Sequence, residues 1–335
     1  MRNDLLYMIQ NEFPLHERPF GILADRLNTT EEKVVDEISM LKEEGIIRQT
    51  SAIFDTKRLG YRSSLVAFKI TGNDSDIEKA AEIINTHPGV SHNYLRNHEY
   101  NLWFTIAVAP DSKMGLEATV ERLSNLTSAT DSIILPTKKM FKISVKLDTA
   151  GKRSKKEKVH RTNYENIKLG PREYAAIREL QKDIPATKEP FKGHITRLNI
   201  SYDELFDIAN RLKKAGIMRR FASILNHRNA GFTANAMSVW VVPEETAEET
   251  GRQIAQFSAV SHCYLRPVFP SWPYNLFAMV HAKTQDECDR IIEEISEETG
   301  IQNYAKLYST REFKKQRIKY FDPSFEDWEN CHIKI

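Results

Sequence analysis

Two stretches of the chain place proton-moving and anion-binding side chains at a regular spacing. Residues 260–281 read VSHCYLRPVFPSWPYNLFAMVH and residues 90–108 read VSHNYLRNHEYNLWFTIAV. In each, a His, a Tyr and an Arg follow one another at every second position: His262, Tyr264 and Arg266, and His92, Tyr94 and Arg96. Alternate residues of a strand share one face. Each stretch therefore predicts an acid/base group, a phenol and a cation in a row, with Cys263 and Leu265, or Asn93 and Leu95, turned the other way. Imidazole titrates near neutral pH, and guanidinium grips carboxylates through two parallel hydrogen bonds. A solvated strand with chance polar residues would seldom carry that face twice.

The elements that must position these rows are duplicated too. Gly45-Ile46-Ile47-Arg48 matches Gly216-Ile217-Met218-Arg219, and Leu59-Gly60-Tyr61 matches Ala230-Gly231-Phe232, each pair 171 residues apart; the two rows are 170 apart. A constant offset across separate blocks marks an internal duplication. Each copy opens with three short helical patterns, the third running from an N-cap (Thr30 or Ser201) to a glycine (Gly45 or Gly216), and continues into a β-rich piece. That order predicts a winged helix-turn-helix. Strand, helix, two strands, helix and strand then follow, the βαββαβ order of a ferredoxin-like unit. The expected fold is α+β, two tandem copies of the pair forming a pseudo-dimer. The expected segments are 1–60 and 61–148 for copy one, a basic linker over 149–165, 166–231 and 232–320 for copy two, and a tail over 321–335 whose Phe321, Phe325 and Trp328 suit packing on the body.

Composition narrows the function classes. The 48 basic and 46 acidic residues leave a net charge of +2, so no global field draws in nucleic acid or an anionic membrane. Three widely spaced cysteines, Cys263, Cys288 and Cys331, form no CxxC and suit a reducing cytoplasm. No apolar run approaches the length of a membrane span, and the N-terminus lacks a signal-peptide core; no membrane association is expected. Gly-rich phosphate loops, HExxH and GxSxG are absent.

A winged helix-turn-helix followed by a ferredoxin-like domain resembles the leucine-responsive/AsnC regulators over nearly all of each copy. The helix that would enter a DNA groove begins with acid, however: Glu31-Glu32 then Asp36-Glu37 in one copy, Asp203-Glu204 then Asp207 in the other. Such a turn repels phosphates, and no nucleic-acid partner is expected. A closer resemblance rests on GIMRRFASILNHRNAGF together with SHCYLRPVFPSWPYNLFAMVHA, which is similar to the siroheme decarboxylases; the tandem copies look like a fusion of that family's two related subunits. The resemblance implies loss of carbon dioxide from the C12 and C18 acetates of siroheme, on a route to haem or haem d1. The iron is then part of the substrate, and no separate cofactor or protein-bound metal is expected.

Such a substrate bears eight carboxylates, so the site needs cations, a proton donor for the methylene left by each loss, and apolar surface for a flat macrocycle. His262 and His227 are the acid/base candidates with Tyr264 as partner, and either histidine could instead be an axial ligand to the substrate iron. Arg219, Arg220 and Arg266 are expected to hold carboxylates, Trp272 to pack on the ring, and Tyr274 to contact it. In copy one, Arg48, His92, Tyr94 and Arg96 are the counterparts, but Thr56 replaces His227, Gln49 replaces Arg220, and the bridge from His to Tyr-Asn-Leu is four residues shorter. One dominant site in copy two follows. Pairing the helix-free sheet faces would bury both rows between the copies, and association of whole chains into a homo-oligomer is compatible with it. Competing readings are a ligand-sensing regulator of the AsnC/Lrp type and a non-catalytic tetrapyrrole carrier.

Overall fold

The structure is a computed structural model and describes residues 1–11, 13–143, 165, 167–225 and 234–333. Copy one runs α1 (Arg2–Asn11), α2 (Pro19–Arg26), α3 (Glu31–Glu43), β1 (Ile47–Phe54), β2 (Arg62–Lys69), α4 (Asp74–Thr86), β3 (Val90–Arg96), β4 (Leu102–Val108), α5 (Gly115–Thr127), β5 (Asp131–Leu135) and β6 (Lys139–Ile143). Copy two runs α6 (Pro171–Leu180), α7 (Lys192–Leu198), α8 (Tyr202–Lys214), β7 (Met218–Leu225), β8 (Ala234–Trp240), α9 (Ala247–Gln256), β9 (Val260–Leu265), β10 (Leu276–Ala282), α10 (Gln285–Thr299) and β11 (Tyr304–Lys315), and the tail adds α11 (Ser324–His332). The chain gathers by kind of domain and not by copy. One compact unit takes the described residues of Met1–Tyr61, Glu157–His227 and Lys319–Pro323, the other those of Arg62–Lys156, Arg228–Ile318 and Ser324–Ile335. The expected linker falls outside the described residues apart from Glu165.

The first unit holds both helix-turn-helix sets. Thr30 accepts the Lys33 N–H at the start of α3, and Ser201 forms a reciprocal capping box with Glu204 at the start of α8. Gly45 (φ 68°) and Gly216 (φ 67°) let the chain turn off each helix in the left-handed region. The expected wing is a single strand in each copy. A lone strand leaves a row of unpaired N–H and C=O groups, and here the two strands satisfy each other: β1 and β7 pair antiparallel, with the Thr50 and Ser223 hydroxyls 2.7 Å apart. The first part of the tail also belongs here. Tyr320 packs edge-on against Tyr61 and Phe54, and the Phe321 N–H donates to the Tyr61 hydroxyl.

The second unit is one nine-stranded sheet ordered β5-β2-β4-β3-β11-β8-β10-β9-β6. Each copy contributes the 4-1-3-2 strand order of a ferredoxin-like unit, and the copies join by exchange. β11 pairs with β8 over Tyr304–Tyr308 and with β3 of the other copy over Ser309–Lys315. In copy one the equivalent path breaks at Pro136, which has no N–H to give a ladder: β5 pairs with β2, and β6 resumes on β9 of copy two. Alternation sorts the side chains. Val66, Phe68, Leu102 and Phe104 pack under α4 and α5, and Ala236, Trp240, Leu276 and Ala278 under α9 and α10. The helix-free faces meet in a third core of Ala67, Trp103, Met237, Val239, Phe277 and Leu307. The tail ends here as well: Trp328 is buried against the α4 and α5 core and donates its indole N–H to Thr86, while Glu329 accepts the Lys113 N–H at 3.0 Å.

Candidate active site

The rows lie on β3 and β9 as strand alternation demands, with Arg266 the residue just past the end of β9. Asn93 turns to α4, where its amide reaches the Ala81 carbonyl and the Asn85 side chain, and Cys263 turns to α9. On the helix-free face His92 and Tyr94 stack with ring centroids 6.1 Å apart and planes at 28°, and His262 and Tyr264 do so at 6.1 Å and 27°. Both pairs are half-buried. Burial, helped by the neighbouring His281 and His92, pushes the His262 pKa down to about 4, so the imidazole is neutral at neutral pH. Burial, with Glu312 adding to it, raises the Tyr94 phenol to about 12 and keeps it protonated.

Three of the residues expected to meet the substrate are buried. Arg266 and Arg96 were expected to hold carboxylates. Both are buried, at 8% and 7% exposure, and both spend a donor on the backbone: Arg266 Nη1 on the Leu135 carbonyl and Arg96 Nη1 on the Leu307 carbonyl at 2.7 Å. Each guanidinium also lies on the tyrosine of its own row, and burial lowers both pKa values to about 10, which leaves them charged. The reason is the strand exchange, which brings the last strand of the opposite copy over each row. Trp272 was expected to pack on the macrocycle. It is fully buried in the shared core, with its ring 5.1 Å from Trp103 and 4.9 Å from Tyr274.

The remaining residues fall as follows. Tyr274 is half-buried at the rim of that core. In the first unit Arg48 opens β1, Arg219 binds Asp55 at 2.8 Å, and Arg220 is half-buried opposite Ile53. His227 lies outside the described residues. The departures of copy one have structural employment: the Gln49 amide donates to the Gln181 carbonyl at 2.7 Å, and the Thr56 hydroxyl meets that of Tyr320 at 2.6 Å.

The repeated Tyr-Asn-Leu has a physical account as well. Asn101 clips the backbone of Ile70 through both its amide atoms, and Asn275 does the same to Val242. Sequence reasoning missed the groups behind the histidines. Ser261 Oγ lies 2.8 Å from His262 Nδ1 and 2.7 Å from His281 Nε2; Ser91 Oγ lies 3.0 Å from His92 Nδ1 and 2.7 Å from Thr105 Oγ1. The serine before each histidine was the available signal. Among the described residues no cluster of three or more His, Cys, Asp or Glu could hold a metal ion.

Two family models each match the chain in two places. Residues 58–142 and 229–314 match the AsnC-like ligand binding domain, and residues 3–48 and 173–219 match the siroheme decarboxylase NirDL-like HTH domain. A siroheme decarboxylase of Hydrogenobacter thermophilus is 43% identical over 97% of this chain and 96% of its own. The chain belongs to the siroheme decarboxylase family. Within that family a beta subunit from Methanosarcina barkeri is 48% identical over 43% of this chain but 94% of its own, so half of this chain matches one whole subunit. The crystal structure of the siroheme decarboxylase NirDL in co-complex with an iron-uroporphyrin III analogue superposes with a TM-score of 0.80, at 38% identity and 98% coverage of both chains. An alpha subunit from Desulfovibrio desulfuricans is 42% identical over 43% of this chain and 81% of its own.

Proposed function

We propose that this protein decarboxylates siroheme, releasing as carbon dioxide the acetate side chains at C12 and C18 and leaving methyl groups, on a route to haem or haem d1. The observation that carries the reading is the pair of matching rows: a neutral imidazole and a protonated phenol, half-buried beside two cations, inside a chain whose whole length matches siroheme decarboxylases. Each step consumes one proton. The C–C bond to the carboxylate breaks, its electron pair spreads into the conjugated macrocycle, and a proton reaches the methylene carbon.

His262 supports that last role, since its Nδ1 is engaged by Ser261 and Nε2 is the nitrogen left to deliver the proton. Giving up Nε2–H would leave the neutral ring as an imidazolate, so each transfer is completed only when a proton from solvent returns to the ring. Tyr94 and Tyr264 offer phenols beside the two imidazoles, and His92 stands as the counterpart in copy one. A surrounding of low polarity favours neutral carbon dioxide over the carboxylate it came from. Arg48, Arg219 and Arg220 remain the candidates for gripping carboxylates, with Tyr274 for contact to the ring and His227 for a second acid/base group, on the strength of their chemistry. The iron belongs to the substrate. We take the chain to act in the cytoplasm, without a nucleic-acid partner.

Anaerobic incubation of the purified protein with siroheme, followed by mass spectrometry of the tetrapyrrole, tests the reading. Loss of two carbon dioxide units is expected. Siroheme bound and returned intact would make the protein a carrier.

A further inference from the structure

We propose that His281, acting through the Ser261 hydroxyl, is a positioning residue that fixes which ring nitrogen of His262 carries the proton. The inference rests on the decarboxylase reading for its consequence, though not for its geometry. His281 lies on β10 and His262 on the neighbouring β9, and the Ser261 oxygen sits between them, 2.7 Å from His281 Nε2 and 2.8 Å from His262 Nδ1. A hydroxyl has one proton and can donate to only one of the two rings.

The chain therefore has two polarities. In the first, His281 Nε2–H donates to Ser261 Oγ, the hydroxyl donates to His262 Nδ1, and the His262 proton sits on Nε2, ready for the substrate carbon. In the second, the His262 Nδ1–H donates to the hydroxyl, the hydroxyl donates to His281, and His262 Nε2 is bare. Only the first makes His262 a proton donor on the side away from Ser261. The proposal assigns the His281 proton to Nε2, and that assignment selects the first polarity, since the partner of one imidazole nitrogen decides the state of the other.

Copy one lacks this control. Ser91 and His92 repeat the first two members, but the third is the Thr105 hydroxyl, and the position matching His281 is Ala107. The Thr105 hydroxyl changes between donor and acceptor by a bond rotation, whereas His281 changes role only by moving its proton to its other nitrogen, so Thr105 holds no fixed polarity. The charged and titratable groups facing His281 are His262 on β9 and Lys315 on β11; on β8 its partner in register is the uncharged Asn235. Both His262 and Lys315 disfavour a second positive charge, so His281 acts chiefly as a neutral ring. Without it, the Ser261 hydroxyl is left to choose between His262 and the Met279 carbonyl 3.5 Å away.

The test uses the full-length protein labelled with ¹⁵N-histidine, as wild type, His281→Ala, His281→Gln, Ser261→Ala and Thr105→Val. Ring ¹⁵N shifts report the tautomer of His262 directly, and siroheme turnover gives kcat and KM. In the wild type the Nε2–H form is expected. His281→Ala should move His262 towards Nδ1–H and lower kcat by about tenfold or more, with KM changed by less than about twofold. His281→Gln, whose amide N–H can also donate to Ser261, should restore most of both, and Thr105→Val should leave turnover near wild type. A His281→Ala protein with unchanged His262 shifts overturns the proposal, as does a kcat that falls only with the folded fraction. If wild-type protein converts no siroheme, the decarboxylase reading fails, and the nitrogen shifts still decide the tautomer claim.

Discussion

Substituting Trp272 separates two places for its indole, in the protein's core or against the macrocycle. The ring is fully buried, its centroid 5.1 Å from Trp103, 4.9 Å from Tyr274 and 5.7 Å from Tyr100. A buried Trp removes about 200 Å² from water, and at about 25 cal/mol per Å² that amounts to about 5 kcal/mol. Ala keeps a small part of this and the neighbours close in only partly, so Trp272→Ala should cost about 3–5 kcal/mol. For a unit of about 200 residues the unfolding midpoint should fall by on the order of 10 °C. Trp272→Phe keeps most of the packing and removes an indole N–H that has no partner among the described residues, so its cost should stay below about 1.5 kcal/mol. Thermal and urea unfolding of both variants, with siroheme affinity titrated in parallel, makes the measurement. Weakened siroheme binding in a Trp272→Ala protein that unfolds at the wild-type midpoint would refute the core placement.

Three further outcomes are expected. His262→Ala should depress siroheme turnover far more than His92→Ala, since only His262 has an imidazole behind its serine; equal losses of kcat would remove the asymmetry between the copies. His87 is buried, and burial, then Lys314 and His332, push its pKa down to about 3. The unfolded chain takes up that proton at the ordinary value near 6.5, so stability falls as pH drops from about 6.5 towards 3, by on the order of 2 kcal/mol at pH 5. His87→Phe should flatten that part of the stability curve, and an unchanged slope in urea melts would show that His87 is not its source. Glu329→Ala should leave the Lys113 N–H at the start of α5 without its acceptor and cost about 1–3 kcal/mol, read as a lower denaturant midpoint.

How much of this was legible in the sequence depends on what each residue type can signal. The rows on β3 and β9 were legible, because a period of two carried by His, Tyr and Arg survives without any knowledge of partners. The helix ends were legible for a similar local reason: Thr30, Ser201, Gly45 and Gly216 act within their own turn. Trp272 was not, because an aromatic ring suits a core and a flat ligand equally and only the meeting of the two sheet faces decides. The strand exchange was half legible. Asn303–Lys314 reads as one long strand, but nothing local says that it pairs with a strand of each copy in turn, and Pro136 marks the break in copy one only once its partner strand is known. His281 closes a quoted motif, yet its link to His262 depends on strand pairing between β9 and β10.

The two buried arginines show what the duplication does to the site. Arg96 donates to the carbonyl of Leu307 and Arg266 to that of Leu135, and these leucines occupy matching positions at the ends of β5 and of the first half of β11. Each copy thus fastens the strand of the other at the point where that strand leaves its own sheet. A guanidinium fits this task because it offers several donors from one buried cation and lies flat on Tyr94 or Tyr264. Removing either would leave a carbonyl without its donor in a buried setting, at about 1–3 kcal/mol. The rows therefore combine two features with one spacing: a half-buried histidine and tyrosine, the pair proposed for the chemistry, and an arginine two residues on that holds the copies together. Once the pairing is fixed in this way, the positions behind each histidine are free to differ, and they do so at His281 and its counterpart Ala107.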